Sequence, residues 1–293
     1  SSVPYQVAQV LPVNMQNSMF STRVSVVAGA LVLALLLMAE SARGQGADFS
    51  AQPRKEVMVP VRDGIRLATG VYLPSRAPDG SIDGGPDVGR FPALLLRTPY
   101  GSAVASKADI ERYVRAGYAL VVKNTRGRGM SEGEFDYFRK DREDGYDVVE
   151  WIAAQPWSNG KVGMMGASAN GTTQHLAAMA RPPHLVTIIP NKPSLNHGGG
   201  GIIWGGAFRL RVWSWVLSNV ARGSVQSRDP ALRAMLLKQA EDKRYYLENL
   251  PLRRGLTPLR IAPEYENLLI GMLEHRRNDA FWDYNNIVDY PEQ

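Results

Sequence analysis

The sequence contains no cysteine. That absence excludes a disulfide framework, a thiolate metal site and a cysteine nucleophile. It says nothing about compartment, because exported and cytosolic proteins alike can do without disulfides. Histidine is also scarce, at four residues, which leaves few candidates for a general base. No His/Asp/Glu group has metal-ligand spacing, so neither a metal nor an organic cofactor is expected. No repeat of solenoid or propeller length is visible.

A formal charge of +6 is present but unevenly spread. Between Gly205 and Arg277 thirteen Lys/Arg face seven Asp/Glu, which accounts for the whole excess. A basic stripe can mean nucleic acid. Here no aromatic-basic interleaving or recognition motif accompanies it, so a solvated helical face is the better reading and no nucleic-acid partner is expected. An electrostatic preference for acidic substrates stays open.

Only one long apolar run occurs. After Met19-Phe-Ser-Thr-Arg23, residues Val24 to Ala39 are almost wholly apolar, and a small-residue exit follows through Ala42, Gly44 and Ala47. A basic start, an apolar centre shorter than the ~20 residues that span a bilayer, and small residues at the exit describe a secretory signal peptide. The expectation is therefore a translated upstream segment at 1–18 and a signal peptide at 19–44, cut after Gly44. The mature protein would be secreted or periplasmic with no stable membrane anchor.

Downstream, apolar strands alternate with helical stretches, as in a sheet covered on both faces. Lys55 to Val61 and Arg66 to Leu73 flank an Asp63-Gly64 turn and read as a hairpin. Phe91 to Arg97, Ala119 to Lys123, Val162 to Met165 and Leu185 to Pro190 read as strands, with helices over Asp109–Ala116 and Arg142–Ala154 between them. From Gly198 the text changes to a glycine run, three tryptophans and helical stretches at Ala231–Leu250 and Pro263–Arg276, with no strand signal.

The stretch that carries chemistry is Lys161-Val-Gly-Met-Met-Gly166-Ala167-Ser168-Ala169-Asn170-Gly171. It reads as strand, glycine-flanked serine, then helix, which is the order a nucleophile elbow needs. A serine at such a turn is strained and exposed, and the helix N-terminus behind it offers free N–H groups to a developing oxyanion. Asn170 occupies the place of the usual second glycine, and Gly171 comes one residue later. A chance Gly/Ser loop is the bland alternative.

Three more segments occur in order with it. They are Arg126-Gly127-Arg128-Gly129-Met130-Ser131-Glu132-Gly133, Asp144-Gly145-Tyr146-Asp147 and Gln155-Pro156-Trp157-Ser158-Asn159-Gly160. With the elbow they make the chain resemble the Xaa-Pro dipeptidyl-peptidase/cocaine esterase family of serine hydrolases over roughly residues 55 to 197. The family's elbow tyrosine is Ala169 here, and Asn124 stands where an aspartate is common. The resemblance implies an α/β-hydrolase fold and Ser168 as the catalytic nucleophile. It also implies an oxyanion hole from the Tyr100 hydroxyl and the Ala169 amide. Tyr100 follows a buried strand in Arg97-Thr98-Pro99-Tyr100-Gly101, and a packing role is its alternative. Asp144 and Asp147, early in a helix, read as structural.

A serine also needs a base and a group to orient it. His175 lies seven residues along the helix from Ser168, about 10 Å up its axis. His184 sits at the opposite end from the elbow, and His275 has basic neighbours. His197 follows a strand's carboxyl end, where ligands usually lie, and could approach the pocket. In the resembled family the acid and histidine follow the helical lid, so they are expected beyond Gln293 and are not assigned.

The expected architecture is thus a C-terminally truncated α/β-hydrolase, with a mostly parallel sheet and helices on both faces. Its core would span 50–200 and a helical lid 201–285. The expected activity is that of an exported serine acyl hydrolase acting on a small ester, amide or peptide, with self-association left open. An α-amino-acid ester hydrolase or β-lactam acylase-like relative, or a non-catalytic binding protein on the same fold, are the rivals.

Overall fold

A computed structural model describes residues 50–51, 55–75, 89–101, 105–223 and 229–287. The upstream segment and signal peptide expected at 1–44 lie outside the described residues.

Strands β1 (Lys55–Pro60) and β2 (Arg66–Tyr72) form the expected antiparallel hairpin, with Gly64 at φ 83° in the turn. Strand β3 (Phe91–Thr98) leads to helix α1 (Lys107–Arg115), which the Ser106 side chain caps by accepting from the Asp109 amide. Strand β4 (Ala119–Asn124), helix α2 (Asp141–Ala153), strand β5 (Ser158–Ala167), helix α3 (Ala169–Met179) and strand β6 (Leu185–Asn191) follow.

The six strands stand in the order β1-β2-β4-β3-β5-β6. Strand β2 runs against both of its neighbours, and β4, β3, β5 and β6 are mutually parallel. The sheet is an α/β-hydrolase sheet, mostly parallel and flanked by helices on both faces. The side-chain alternation of the central strands shows why both faces must be covered. Ala119 and Val121 of β4 join Leu95, Val148, Ile152 and Ala177 under α2 and α3. Leu120 and Val122 join Leu96 and Val114 under α1.

Beyond β6 the chain is helical, with one departure from expectation. Ile203–Trp204 and Ala207–Phe208 pair as a two-residue antiparallel hairpin. Gly205 and Gly206, both at positive φ, make its turn; so short a pair leaves no period-two pattern to read. Helix α4 (Leu210–Gly223) comes next. The helical stretch expected at Ala231–Leu250 is two helices, α5 (Pro230–Glu241) and α6 (Lys243–Glu248). The break is at Asp242, which leaves helical geometry at ψ 66° and accepts from the Tyr245 amide. A polar cap here ends one helix and starts another. Helix α7 (Pro263–Glu274) completes the set, and these helices share a core built on Trp213, Leu217, Leu236, Tyr246, Leu269 and Trp282.

Candidate active site

Strand β5 stops and helix α3 starts at Ser168, whose backbone is at φ 57°, ψ −121°. A serine rarely adopts such a conformation, and the cost is of order 1–3 kcal/mol, met by the surrounding structure. Two glycines make the turn feasible. A Cβ on Gly166, itself at φ 137°, would lie 2.6 Å from the Asn170 Cβ and 2.9 Å from Leu96 Cδ1. A Cβ on Gly171 would lie 3.1 Å from the Asn191 carbonyl oxygen and 3.3 Å from Pro193 Cβ. The close approaches at this turn therefore fall on Gly166, towards the helix, and on Gly171, towards the end of β6.

Hydrogen bonds fix the elbow to its neighbours. The Ser168 amide donates to the Asn191 carbonyl at 2.8 Å. The Gln174 carboxamide donates to the carbonyls of Gly166 and Asn170 and accepts from the Ile189 amide at 2.9 Å, linking β5, α3 and β6. Ala169 is the first residue of α3, so its N–H has no partner within the helix.

Ser168 and Ala169 line an open cavity of about 410 Å³ between the elbow and the helical region. One wall is aromatic, from Tyr137, Phe138 and Trp215. Tyr137 and Phe138 both have positive φ, and their rings meet that of Trp215 at 5.6 and 6.4 Å. Lys192, Arg209 and Arg211 also line the cavity, as does His197 with the glycines that follow.

Tyr100 is not among the residues lining this cavity. It stands one side chain away, its hydroxyl accepting from Trp215 Nε1 at 3.3 Å and its ring edge-on to that indole at 6.1 Å. The loop that carries it is braced from below. Arg128 donates through Nε to the Pro99 carbonyl at 2.8 Å and packs over the Phe135 ring. Burial lowers the Arg128 guanidinium to about 10.

The Arg126–Gly133 loop works as scaffold. Gly127 is forced, since a Cβ there would sit 2.2 Å from the Phe135 amide nitrogen. Arg126 bridges Asp144 and Asp63, while Arg62 holds Asp147. Asp144 and Asp147, read as structural from the sequence, are each held in an ion pair with an arginine. Beneath them, Thr69, Lys123 and Arg97 stand side by side on β2, β4 and β3, all fully buried. Arg97 pairs with Asp141 and donates to the Thr173 carbonyl, fastening α2 and α3 to the sheet. Burial, and then the adjacent Arg97 charge, lower Lys123 to about 7, and its ammonium nitrogen has no hydrogen-bond partner among the described residues. Burial also raises the Asp141 carboxyl.

Among the described residues none of the four histidines is hydrogen-bonded to Ser168. His184 Nδ1 meets Glu150 at 2.7 Å, and His275 Nδ1 meets Asp279 at 2.9 Å while its ring stacks on Phe281. His175 is half-buried on α3, and desolvation lowers its pKa. His197 does reach the cavity, with Nδ1 3.0 Å from the Tyr284 hydroxyl. Burial, reinforced by the Arg139 charge, lowers it to about 3.

Comparison with known proteins places this arrangement. Residues 63–292 match the family described as X-Pro dipeptidyl-peptidase (S15 family). The chain belongs to the X-Pro dipeptidyl-peptidase family. Cocaine esterase from Rhodococcus sp. (strain MB1 Bresler) is 32% identical over 249 residues, covering 80% of this chain and 38% of that protein. A solved α-amino acid ester hydrolase is 25% identical, with a TM-score of 0.56, covering 84% of this chain and 40% of the other. A CocE/NonD family hydrolase from Staphylococcus aureus shares the fold at a TM-score of 0.56 and 22% identity, covering 81% of this chain and 38% of that one. The chain thus spans about two fifths of the length of these relatives.

X-Pro dipeptidyl-peptidase family members are hydrolases, and this chain carries their hydrolase fold with a serine at the strand-to-helix turn. The sequence motifs led to Ser168, Ala169 and the scaffold loop. They did not lead to Lys192, Arg209, Arg211 or the Tyr137–Phe138–Trp215 wall. The only trace of the cationic wall in the sequence is the charge excess after Gly205, which covers Arg209 and Arg211 and not Lys192.

Proposed function

We propose that the chain carries the nucleophile and oxyanion side of a serine acyl hydrolase acting on an ester or amide. One observation carries this reading: Ser168 is held at φ 57°, ψ −121° on the wall of an open cavity. Its Oγ attacks the substrate carbonyl carbon. The oxyanion accepts hydrogen bonds from the Ala169 N–H and from the Tyr100 hydroxyl, which acts from the rim beside Trp215. The serine proton passes through a general base to the departing alcohol or amine, leaving the acyl group on Oγ. Water then attacks that ester, the acid departs, and Oγ recovers its proton. The base and its orienting acid are not assigned to any residue described.

A fluorophosphonate probe tests the reading. Labelling is expected, and Ser168→Ala should abolish it; labelling that survives the substitution refutes the assignment. A non-catalytic binding protein on the same fold is the second reading. It is favoured by the histidines, none of which is hydrogen-bonded to Ser168 among the described residues. Absence of any labelling supports it.

We also propose export, on the basic, apolar and small-residue succession from Met19 to Ala47. The expected N-terminus of the secreted form lies between Ala42 and Ala47. A secreted form still beginning near Met19 would point to a retained anchor instead.

A further inference from the structure

The cavity beside Ser168 is charged with one sign. Lys192, Arg209 and Arg211 all line it, and among the described residues no aspartate or glutamate does. Among the described residues none of the three cations pairs with a carboxylate. Each is brought there by a specific local feature. Lys192 follows the last residue of β6 and takes a left-handed backbone at φ 49°. It is therefore bonded directly to Asn191, whose carbonyl accepts from the Ser168 amide. Arg209 follows the short hairpin, donates to the Gly201 carbonyl at 2.9 Å and lies over the Trp204 ring at 5.3 Å. That fixes the guanidinium while leaving most of its five N–H donors free. Arg211 stands in the first turn of α4, two residues on.

Three uncompensated cations in one concave site raise the local concentration of anions, and the arginines offer forked donors that match a carboxylate. The same wall disfavours an ammonium group, which would need a carboxylate partner that the cavity does not supply. In the same cavity, Tyr137, Phe138 and Trp215 offer apolar and aromatic surface. We infer that this site selects esters or amides that carry a free carboxylate on an apolar, preferably aromatic, body. The carboxylate binds at Lys192, Arg209 and Arg211, and the scissile carbonyl lies at Ser168. This deepens the serine-hydrolase reading and rests on it.

Three p-nitrophenyl esters of one shape test the charge preference: 4-carboxybenzoate, 4-carbamoylbenzoate and 4-(aminomethyl)benzoate, respectively anionic, neutral and cationic. The para placement keeps the carboxylate from attacking its own ester. The expected result is a kcat/KM for the anionic ester at least about tenfold above the neutral one, with the cationic one lowest. The advantage should shrink between about 0.05 and about 0.5 M NaCl, as the Debye length falls. The double variant Lys192→Gln/Arg211→Gln keeps the Arg209 contacts intact and should bring the three esters towards parity. Equal rates for all three, or a preference for the cationic one, overturns the inference.

Calorimetric titration of Ser168→Ala with terephthalate and with terephthalamide separates this inference from the reading beneath it. Tighter binding of terephthalate, weakened in a chain that also carries the double substitution, supports the anion site even if no ester is hydrolysed. Equal binding of the two, or binding of neither, overturns it even if fluorophosphonate labels Ser168.

Discussion

The Ser168 amide donates to the Asn191 carbonyl at 2.8 Å, which ties the nucleophile elbow to the end of β6. The bond is possible because β5 and β6 run parallel, with Ala167 opposite Asn191. The turn out of β5 thus begins beside the last residue of its neighbour. The serine's unusual backbone is consequently a property of two strands and a helix together.

Gly166 tests that dependence. A Cβ there would meet the Asn170 Cβ at 2.6 Å and Leu96 Cδ1 at 2.9 Å, and φ 137° already disfavours any side chain. Gly166→Ala is expected to destabilise the protein by about 2–4 kcal/mol, combining overpacking with backbone strain. Fluorophosphonate labelling of Ser168 should fall with it. Gly171→Ala, whose contacts begin at 3.1 Å, should cost less. Urea denaturation of both variants is the measurement, and equal losses would contradict the ranking.

Lys123 predicts a pH dependence with a definite sign. Its ammonium titrates near 7 in the fold, against an ordinary value of 10.5. Between those values the unfolded chain binds the extra proton, so unfolding takes one up and stability rises with pH. The penalty is full below about pH 7 and gone above about 10.5. The slope from this one group approaches 1.4 kcal/mol per pH unit, at about that magnitude. Lys123→Met removes the group and keeps its length. The stability of the variant relative to the parent should fall as pH rises through that window, read by urea denaturation. A constant difference would show that Lys123 does not titrate there.

Tyr100 separates an oxyanion role from a packing role. Tyr100→Phe keeps the ring against Trp215 and removes the hydroxyl that accepts from its Nε1. If the hydroxyl stabilises the oxyanion, kcat should drop by about 10²–10³ with little change in KM. If it only packs, kcat should stay and stability should fall by about 1 kcal/mol. Steady-state hydrolysis of a p-nitrophenyl ester decides between them.

Much of the fold was legible because its signals are local. The Asp63-Gly64 turn, the continuous apolar runs of β3 and β4, and the Gly166–Gly171 elbow each need only neighbouring residues to be read. The helical region was read less well. Asp242 ends one helix and caps the next, and an aspartate inside a helical pattern gives no sign of which it will do. The site was legible on its serine side for the same reason the elbow was. The cationic cluster was not, because Lys192 comes just after a strand, Arg209 just after a short hairpin and Arg211 from a helix start. Only the tertiary fold brings those three together. Tyr100 was expected in the site and is not among the residues lining the cavity; it stands beside Trp215, which does line it, on a loop that Arg128 holds through the Pro99 carbonyl.

Strand β6 stands at the border of the sheet among the described residues, with Val186 and Ile189 largely exposed. Gln174 joins this border strand to the elbow through Ile189 and Gly166, and Asn191 joins it to Ser168 itself. A border strand is a template for another strand. Whatever pairs with β6 therefore grips the mount of the serine, so that extending the sheet and steadying the nucleophile are one mechanical event.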